Sequence, residues 1–156
     1  MDLEAYRALR LEALAAHPEA FGTTAEEEAA KPREALLQVL ETNAIFGGFM
    51  ADALVGVAAL VQQPKEKERH KGLLWGMYVA ESARGSGLGG ALVDAVLEAA
   101  RGRVLQVHLD VGDYNMPARR LYESRGFVAC GVTPRSLKLG ERYLDEIAMV
   151  RRLDDA

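Results

Sequence analysis

The residues best suited to bind a ligand lie in a glycine-rich segment, in which four of six positions are glycine: Gly85-Ser86-Gly87-Leu88-Gly89-Gly90. Positions without a Cβ atom let several backbone N–H groups point at one spot. A helix is predicted from Leu88 to about Arg101, and a helix N-terminus adds a partial positive charge. The segment therefore predicts an anion site, and phosphate is the anion we expect there.

Two predicted strands position this segment. The first is apolar and covers residues 73–79, and residues 80–84 separate it from Gly85. The second covers residues 104–111, where the polar residues Gln106, His108 and Asp110 alternate with apolar ones. Because a helix crosses between these strands, they are predicted to be parallel neighbours.

The flanking elements predict the rest of a sheet. A helix capped by Asn115, with Pro117 in its first turn, is predicted to end at Gly126. The other predicted elements are helices over residues 2–16 and from about 24 to 40, strands over 45–50, 54–61, 127–132 and 141–153, and a polar link over 133–140. This order predicts a mixed α/β or α+β fold in a single domain, residues 1–156.

Composition narrows the class of protein. A net charge of −4 argues against nucleic acid or an anionic membrane as the partner. No apolar run approaches the roughly 20 residues that span a bilayer, and no signal-peptide pattern opens the sequence. Cys130 is the only cysteine, so we expect no disulfide, and we expect Cys130 to be a buried strand residue. These features predict a cytoplasmic protein, and we expect no metal.

One interpretation of the glycine-rich segment is a dinucleotide site. Gly85-x-Gly87-x-x-Gly90 matches that fingerprint, and Asp110 lies twenty positions beyond Gly90, where a ribose-binding acid is expected. In such folds, however, the first glycine directly follows the strand, whereas residues 80–84 intervene here. The sequence also lacks a second βαβ half. An NAD-binding enzyme is therefore the less favoured alternative.

Two motifs together resemble the GNAT superfamily of N-acetyltransferases. The first is Arg84-x-x-Gly87-x-Gly89, which is similar to the acyl-CoA pyrophosphate loop of that family. The second is Asn115-x-x-Ala118-x-x-Leu121-Tyr122-x-x-x-Gly126-Phe127. Two further stretches carry the likeness towards the chain ends: Arg10-Leu11-Glu12-Ala13-Leu14 with Pro18-Glu19-Ala20-Phe21, and Tyr143-Leu144-Asp145-Glu146. The resemblance covers nearly the whole chain.

The resemblance implies a particular fold. A mostly antiparallel sheet, flanked by about four helices, is expected to have one parallel pair that splays around acyl-CoA. Members usually begin with a strand before the first helix, but this sequence starts directly at that helix. The sheet is therefore expected to lack one edge strand, and a homodimer would be one way to cover the open edge.

The resemblance also implies that acetyl-CoA is a co-substrate, with its pantetheine on backbone groups of residues 77–79 and its pyrophosphate on residues 84–90. Arg84 would contact phosphate through its side chain or only through its backbone. Asn115 would bind the pantetheine region. The implied cofactor-binding residues are Met77, Tyr78, Val79, Arg84, Gly85, Ser86, Gly87, Leu88, Gly89, Gly90, Asn115 and Tyr122.

The implied reaction is direct attack of a primary amine on the thioester. A backbone N–H at Met77 or Tyr78 would stabilise the oxyanion, and Tyr122 would be the catalytic acid for the departing thiolate. The general base stays open between His108, Asp110, Glu28 and water. Acidic residues (26–28, Asp145, Glu146) favour a cationic acceptor, either a small molecule or a peptide amine. A non-catalytic acyl-CoA-binding module is the main alternative to an enzyme.

Overall fold

The computed structural model describes residues 1–154, which form five α-helices and one six-stranded sheet. In chain order the elements are α1 (Leu3–Ala16), α2 (Ala25–Ala29), α3 (Arg33–Thr42), β1 (Ala44–Met50), β2 (Ala53–Gln62), β3 (Lys71–Val79), α4 (Leu88–Ala100), β4 (Gln106–Gly112), α5 (Met116–Ser124), β5 (Val128–Leu139) and β6 (Arg142–Arg152). None of the described helices has the length and apolar character needed to cross a membrane.

The sheet confirms the predicted mixed architecture. Its strand order is β1-β2-β3-β4-β6-β5, and every neighbouring pair is antiparallel except β3 and β4. Within residues 1–154 no strand precedes α1, so β1 forms one edge of the sheet and β5 the other.

The parallel pair opens after a short stretch of pairing. β3 and β4 pair only from Lys71 with Gln106 to Leu73 with His108, although both strands continue beyond. β3 contains a bulge at this place, because Gly76 and Met77 together occupy the position opposite Ala58 of β2. An extra residue bends its strand, and Gly76 accommodates the bend with a φ of +64°. The result is the predicted splay between the two strands.

Each face of the sheet carries its own core. On one face, here the α4 face, α4 packs mainly against β1, β2 and β3 with α5 beside it, and Val93, Val107 and Phe127 are almost completely buried. On the other, the α1 face, Tyr6 and Leu9 of α1 pack against Val57 and Tyr78 of the sheet. Because successive strand residues point to opposite faces, both cores are built from the same strands.

Side chains cap the first two helices. The Asp2 side chain accepts a hydrogen bond from the Glu4 N–H, and Thr24 and Glu27 form a capping box. The single helical region expected after Thr24 is instead two helices. Pro32 lies between them and is the N-cap of α3, since a proline has no N–H to continue the preceding helix.

Two expectations about the C-terminal hairpin were wrong. The polar link expected over residues 133–140 is mostly strand, because β6 supplies partners such as Glu146 for Thr133 and Tyr143 for Lys138. A register shift between Thr133 and Leu137 accommodates Pro134, which an edge strand tolerates. Cys130 is exposed and not buried. β5 is an edge strand, and its residues 128–135 have neither face covered by the described part of the chain.

Candidate functional site

The glycine-rich segment lies at the N-terminus of α4, next to the open end of the β3–β4 pair. Gly87 is the N-cap of α4 with a φ of +86°, and Gly85 has a φ of +75°. A Cβ atom at either position would meet no protein atom within 4 Å. Both backbone conformations favour glycine, and both positions leave the backbone open to a ligand. These residues fit a phosphate group at a helix N-terminus.

The other two glycines of the segment have packing roles. A Cβ at Gly89 would lie 3.3 Å from Leu121 Cδ2, and one at Gly90 would overlap the Arg125 guanidinium. Arg125 is held there by an ion pair with Asp94, 3.2 Å between Nε and Oδ1. The two glycines therefore allow α5 to approach α4 closely. No local sequence signal separated them from Gly85 and Gly87.

The Ser86 and Arg84 side chains form hydrogen bonds with other groups of the protein. Ser86 Oγ donates to the Ala83 carbonyl and accepts from the Leu88 N–H at 3.3 Å. Arg84 donates from Nε to the Val79 carbonyl at 3.2 Å, and its Nη2 lies 2.7 Å from His17 Nε2. A guanidinium only donates, so His17 Nε2 is the acceptor of this hydrogen bond, and His17 Nδ1 lies 3.4 Å from Glu19 Oε1. No motif in the sequence singles out His17.

The residues at the end of β3 divide between the two faces. The Met77 and Val79 side chains point towards α4, 3.6 and 3.8 Å from where a Gly89 Cβ would lie. Tyr78 points to the α1 face, where its hydroxyl donates to Glu12 Oε2 at 2.9 Å. Burial, together with this hydrogen bond, raises the pKa of Tyr78. A ligand between β3 and β4 would therefore meet the backbone of Tyr78 and not its phenol.

Asn115 caps α5 as predicted. Its Oδ1 accepts from the Ala118 N–H at 3.2 Å. Within residues 1–154 the Nδ2 group has no hydrogen-bond partner, so it remains available to donate. The helix-cap role and the predicted ligand role are therefore compatible, because they use different atoms of one side chain.

Tyr122 lies in the core of the α4 face. Its side chain is 7% exposed, and its ring meets Phe127 edge-on with 5.9 Å between centroids. Burial raises the pKa of Tyr122 to about 12, so the hydroxyl is fully protonated at neutral pH. The hydroxyl has no hydrogen-bond partner in the described part of the chain. Such a group can donate a hydrogen bond to a ligand.

The candidate bases differ in their surroundings. His108 lies where the splay begins, its Nε2 is 2.7 Å from Gln106 Nε2, and burial lowers its pKa, with Lys71 adding to the effect. Asp110 is exposed on the same face of β4. Glu28 is 2% exposed, and Lys31 Nζ lies 2.8 Å from its Oε2. His108 and Asp110 thus share one face of β4, whereas Glu28 lies on α2.

In the described part of the chain, four of the five acidic residues expected to attract a cation already have partners for their side chains, and Glu26 is the exception. Glu27 belongs to the capping box, and the Thr24 N–H lowers its pKa. Asp145 Oδ1 accepts from the Arg135 N–H at 2.8 Å, and Glu146 accepts from Ser136 Oγ. Within residues 1–154, no three His, Cys, Asp or Glu side chains are arranged to hold a metal ion.

A cavity of about 610 Å³ opens on the α1 face. It lies between the end of α1, the segment that leads to α2, and the β5–β6 hairpin, and its walls include Pro18, Phe21, Thr23, Ser136 and Leu144. A second cavity, of about 490 Å³, lies at the start of β3, far along the sheet from the glycine-rich segment. The first cavity is therefore the better candidate for a second substrate.

The mixed sheet, opened beside a glycine-rich helix N-terminus, defines an acetyltransferase class of protein. A family model described as the acetyltransferase (GNAT) family matches residues 4–127, and the chain belongs to that family. The predicted family and fold are thus confirmed. The sheet, with its single parallel pair, does not support the dinucleotide interpretation, which requires a parallel doubly wound sheet.

Solved structures with the same fold extend the comparison over nearly the whole chain. A ribosomal-protein-alanine N-acetyltransferase from Brucella melitensis is 25% identical with a TM-score of 0.80, covering 97% of this chain and 94% of that chain. YncA from Salmonella typhimurium, solved with its cofactor acetyl-CoA, is 22% identical with a TM-score of 0.81, covering 99% and 90%. A GCN5-related N-acetyltransferase from Kribbella flavida is 23% identical with a TM-score of 0.80, covering 97% and 92%. A comparison with curated proteins found no match.

Proposed function

We propose that this protein is an N-acetyltransferase that moves the acetyl group of acetyl-CoA to a primary amine by direct attack on the thioester. The observation that carries the proposal is the separation of β3 from β4 after Leu73 and His108, beside a helix N-terminus with two open glycines. The YncA structure, which holds acetyl-CoA in the same fold, supports the choice of co-substrate.

The residues present fit the parts of acetyl-CoA. Backbone N–H groups of the segment around Gly85 and Gly87 would hold the pyrophosphate, aided by the N-terminal end of the α4 dipole. The free backbone edge of β3 after Leu73 would pair with the amides of pantetheine, and the Asn115 Nδ2 group would donate to one of their carbonyls. Arg84 would contribute mainly through its backbone, since its side chain is held by Val79 and His17.

Acetyl-CoA supplies an activated acyl group, and the chain supplies hydrogen-bond donors around it. A backbone N–H at Met77 or Tyr78, next to the bulge, would donate to the acyl oxygen as negative charge develops there. An amine has a pKa of about 10 and must lose a proton before it attacks. We assign that step to water or to one of the three candidate bases, His108, Asp110 and Glu28.

Tyr122 would act on the departing sulfur. A thiol has a pKa of about 8.5, well below the value of about 12 to which burial raises that of Tyr122. Complete transfer of the phenolic proton to the thiolate would therefore be uphill. We propose that the Tyr122 hydroxyl stabilises the thiolate mainly as a hydrogen-bond donor.

The alternative is a module that binds acyl-CoA without transferring the acyl group. The experiment that separates the two incubates the protein with acetyl-CoA and a broad panel of amines, and follows thiol release and product mass. We expect thiol release that depends on an amine and a product heavier by one acetyl group. Tight binding of acetyl-CoA with no acetylated product across the panel would instead identify a binding module.

A further inference from the structure

The α1 face contains a buried arginine close to the β3 bulge. Arg10 of α1 is 4% exposed, and its guanidinium stacks on Trp75 at 4.5 Å from the ring centroid, with Phe21 at 5.4 Å. Phe21 also lines the large cavity of this face. Arginine is almost never fully buried unless its charge and its donors are paired.

The pairing of Arg10 inside the chain is incomplete. Its Nε lies 3.6 Å from Glu28 Oε1, which is an ion pair but too long for a hydrogen bond. Glu28 also faces Lys31, with 2.8 Å between Nζ and Oε2, so one carboxylate is shared by two cations. Within residues 1–154 the Arg10 guanidinium makes no hydrogen bond, and its Nε is buried without a partner. A buried donor left in this state is costly, and each such group requires an explanation.

The unpaired side of Arg10 lies next to the reaction site. A Cβ placed on Gly76 would be 3.7 Å from Arg10 Nη1, so this nitrogen lies directly beside the backbone of the bulge. Gly76 belongs to the bulge and is bonded to Met77, whose N–H is a candidate donor to the acyl oxygen. One surplus positive charge is therefore held directly beside the place where acetyl transfer is proposed.

We propose that Arg10 binds the carboxylate of the acceptor, and that the acceptor is a free α-amino acid. This inference rests on the proposed function and adds the class of substrate. A guanidinium matches a carboxylate with two parallel N–H···O bonds, which would satisfy the donors that the chain leaves unpaired. Because Arg10 and the candidate oxyanion donor both adjoin Gly76, the carboxylate and the attacking nitrogen must lie close together in the acceptor. In an α-amino acid the amine and the carboxylate are attached to the same carbon, so their separation is short. A polyamine, or a lysine side chain in a peptide, has no carboxylate next to its amine.

The structure offers a direct probe of binding. Trp75 is the only tryptophan of the chain and stacks on Arg10, so its fluorescence reports on that guanidinium. We would titrate the protein, saturated with CoA so that no turnover occurs, with a panel of L-amino acids and with their amides. We expect at least one amino acid to bind about tenfold or more tightly than its amide. If no amino acid binds better than its amide in the wild-type protein, the proposal is wrong.

Variants then test whether Arg10 is the cause. Arg10→Gln is expected to remove the preference for the acid over the amide, and Arg10→Lys to keep part of it, since lysine retains the charge without the planar fork. Arg7→Gln is the control on the same helix, because Arg7 donates to the Ala29 carbonyl at 2.7 Å and faces no ligand in this proposal. It should keep the preference. Circular dichroism checks that each variant is folded. A preference that survives in folded Arg10→Gln would also overturn the assignment.

Failure of this inference is distinguishable from failure of the proposed function. Acetylation of simple amines without any preference for amino acids would leave the enzyme intact and remove the carboxylate site. Preferential binding of amino acids to Arg10, with no acetylated product from any amine, would support the carboxylate site and contradict the transferase.

Discussion

The two faces of the sheet offer different groups to a ligand. Next to the α4 face, the glycine-rich segment offers backbone groups, and the two glycines with open space, Gly85 and Gly87, have no side chain at all. On the α1 face, the groups near the bulge are side chains: Arg10, Glu28 and Trp75. A backbone site suits a ligand shared by a whole family, whereas side chains can be exchanged to change the acceptor. The predictions below test this division.

The largest effect on activity is expected from Tyr122→Phe, which removes only the hydroxyl group of Tyr122 from the α4 face. The ring would still meet Phe127 edge-on, so folding and acetyl-CoA affinity should change little. Loss of one hydrogen-bond donor to a developing negative charge typically costs about 10²–10³ in rate. We expect kcat to fall by about 10² or more, with Kd for acetyl-CoA within about twofold of the wild-type value. Stopped assays of thiol release and calorimetric titration would measure the two quantities. Unchanged turnover would remove Tyr122 from the mechanism.

The same tyrosine predicts a dependence of stability on alkaline pH. Burial raises the pKa of Tyr122 to about 12, above the value of about 10 expected in the unfolded chain. The contribution of the neutral Tyr122 hydroxyl to the free energy of unfolding is therefore fully present below pH 10. It is lost as the pH rises through 10 towards 12, because in that range Tyr122 ionises only in the unfolded chain. At about 1.4 kcal/mol per pH unit, the free energy of unfolding of the wild-type protein should fall by about 2–3 kcal/mol more than that of Tyr122→Phe.

Urea denaturation of both proteins between pH 9 and 12 would measure that difference in the free energy of unfolding. The remaining tyrosines are shared by the two proteins, so their titration cancels in the comparison. Parallel curves throughout this range would show that Tyr122 is not buried as described.

A pair of glycine substitutions separates backbone recognition from packing. Gly87→Ala places a Cβ where no protein atom lies within 4 Å, at a φ of +86°, so its strain costs about 1–2 kcal/mol and its methyl group faces the ligand. Gly90→Ala places a Cβ on the Arg125 guanidinium and disturbs its ion pair with Asp94. We expect Gly87→Ala to weaken acetyl-CoA binding about tenfold with a small loss of Tm, and Gly90→Ala to lower Tm more than affinity.

Calorimetric titration and thermal denaturation of the two variants would test the pair. Equal losses of affinity would mean that Gly90 also faces the ligand, and the distinction drawn between the glycines would not hold.

Most of the α4 side could be predicted from the sequence, because its signals are local. One stretch of the sequence contains the glycine-rich segment from Gly85 to Gly90, the helix that follows it, and the Asn115 cap. The spacing within the two motifs indicated the family. The buried face of α4 is less evident from the sequence, since Ala91 is exposed whereas Val93 and Leu97 are buried. A short, mostly apolar helix offers several similar stripes, and only the packing of α4 on the sheet selects one.

The α1 side could not be predicted in the same way, since its contacts join residues far apart in the sequence. Arg10, Glu28 and Trp75 belong to three separate elements, and no pattern in the sequence indicates that the three side chains meet. The exposure of Cys130 was missed for a related reason. The apolar stretch around it predicts a buried strand, but only the sheet order shows that β5 is an edge.

The smallest effect is expected where the two sides meet. Arg84 of the glycine-rich segment and His17 at the end of α1 are separated by 67 positions, yet 2.7 Å separates Arg84 Nη2 from His17 Nε2. If this contact positions the segment, His17→Ala should weaken acetyl-CoA binding by about two- to fivefold, the effect of one partly exposed hydrogen bond. His17→Gln, whose Oε1 can still accept from Arg84, should restore most of the affinity. The effect of His17→Ala should disappear in an Arg84→Ala background, because the two substitutions remove the same contact. Calorimetric titration would measure the acetyl-CoA affinity of the four proteins in that cycle. Additive losses of affinity would mean that His17 affects the site through some other contact. The two faces would then bind their ligands independently.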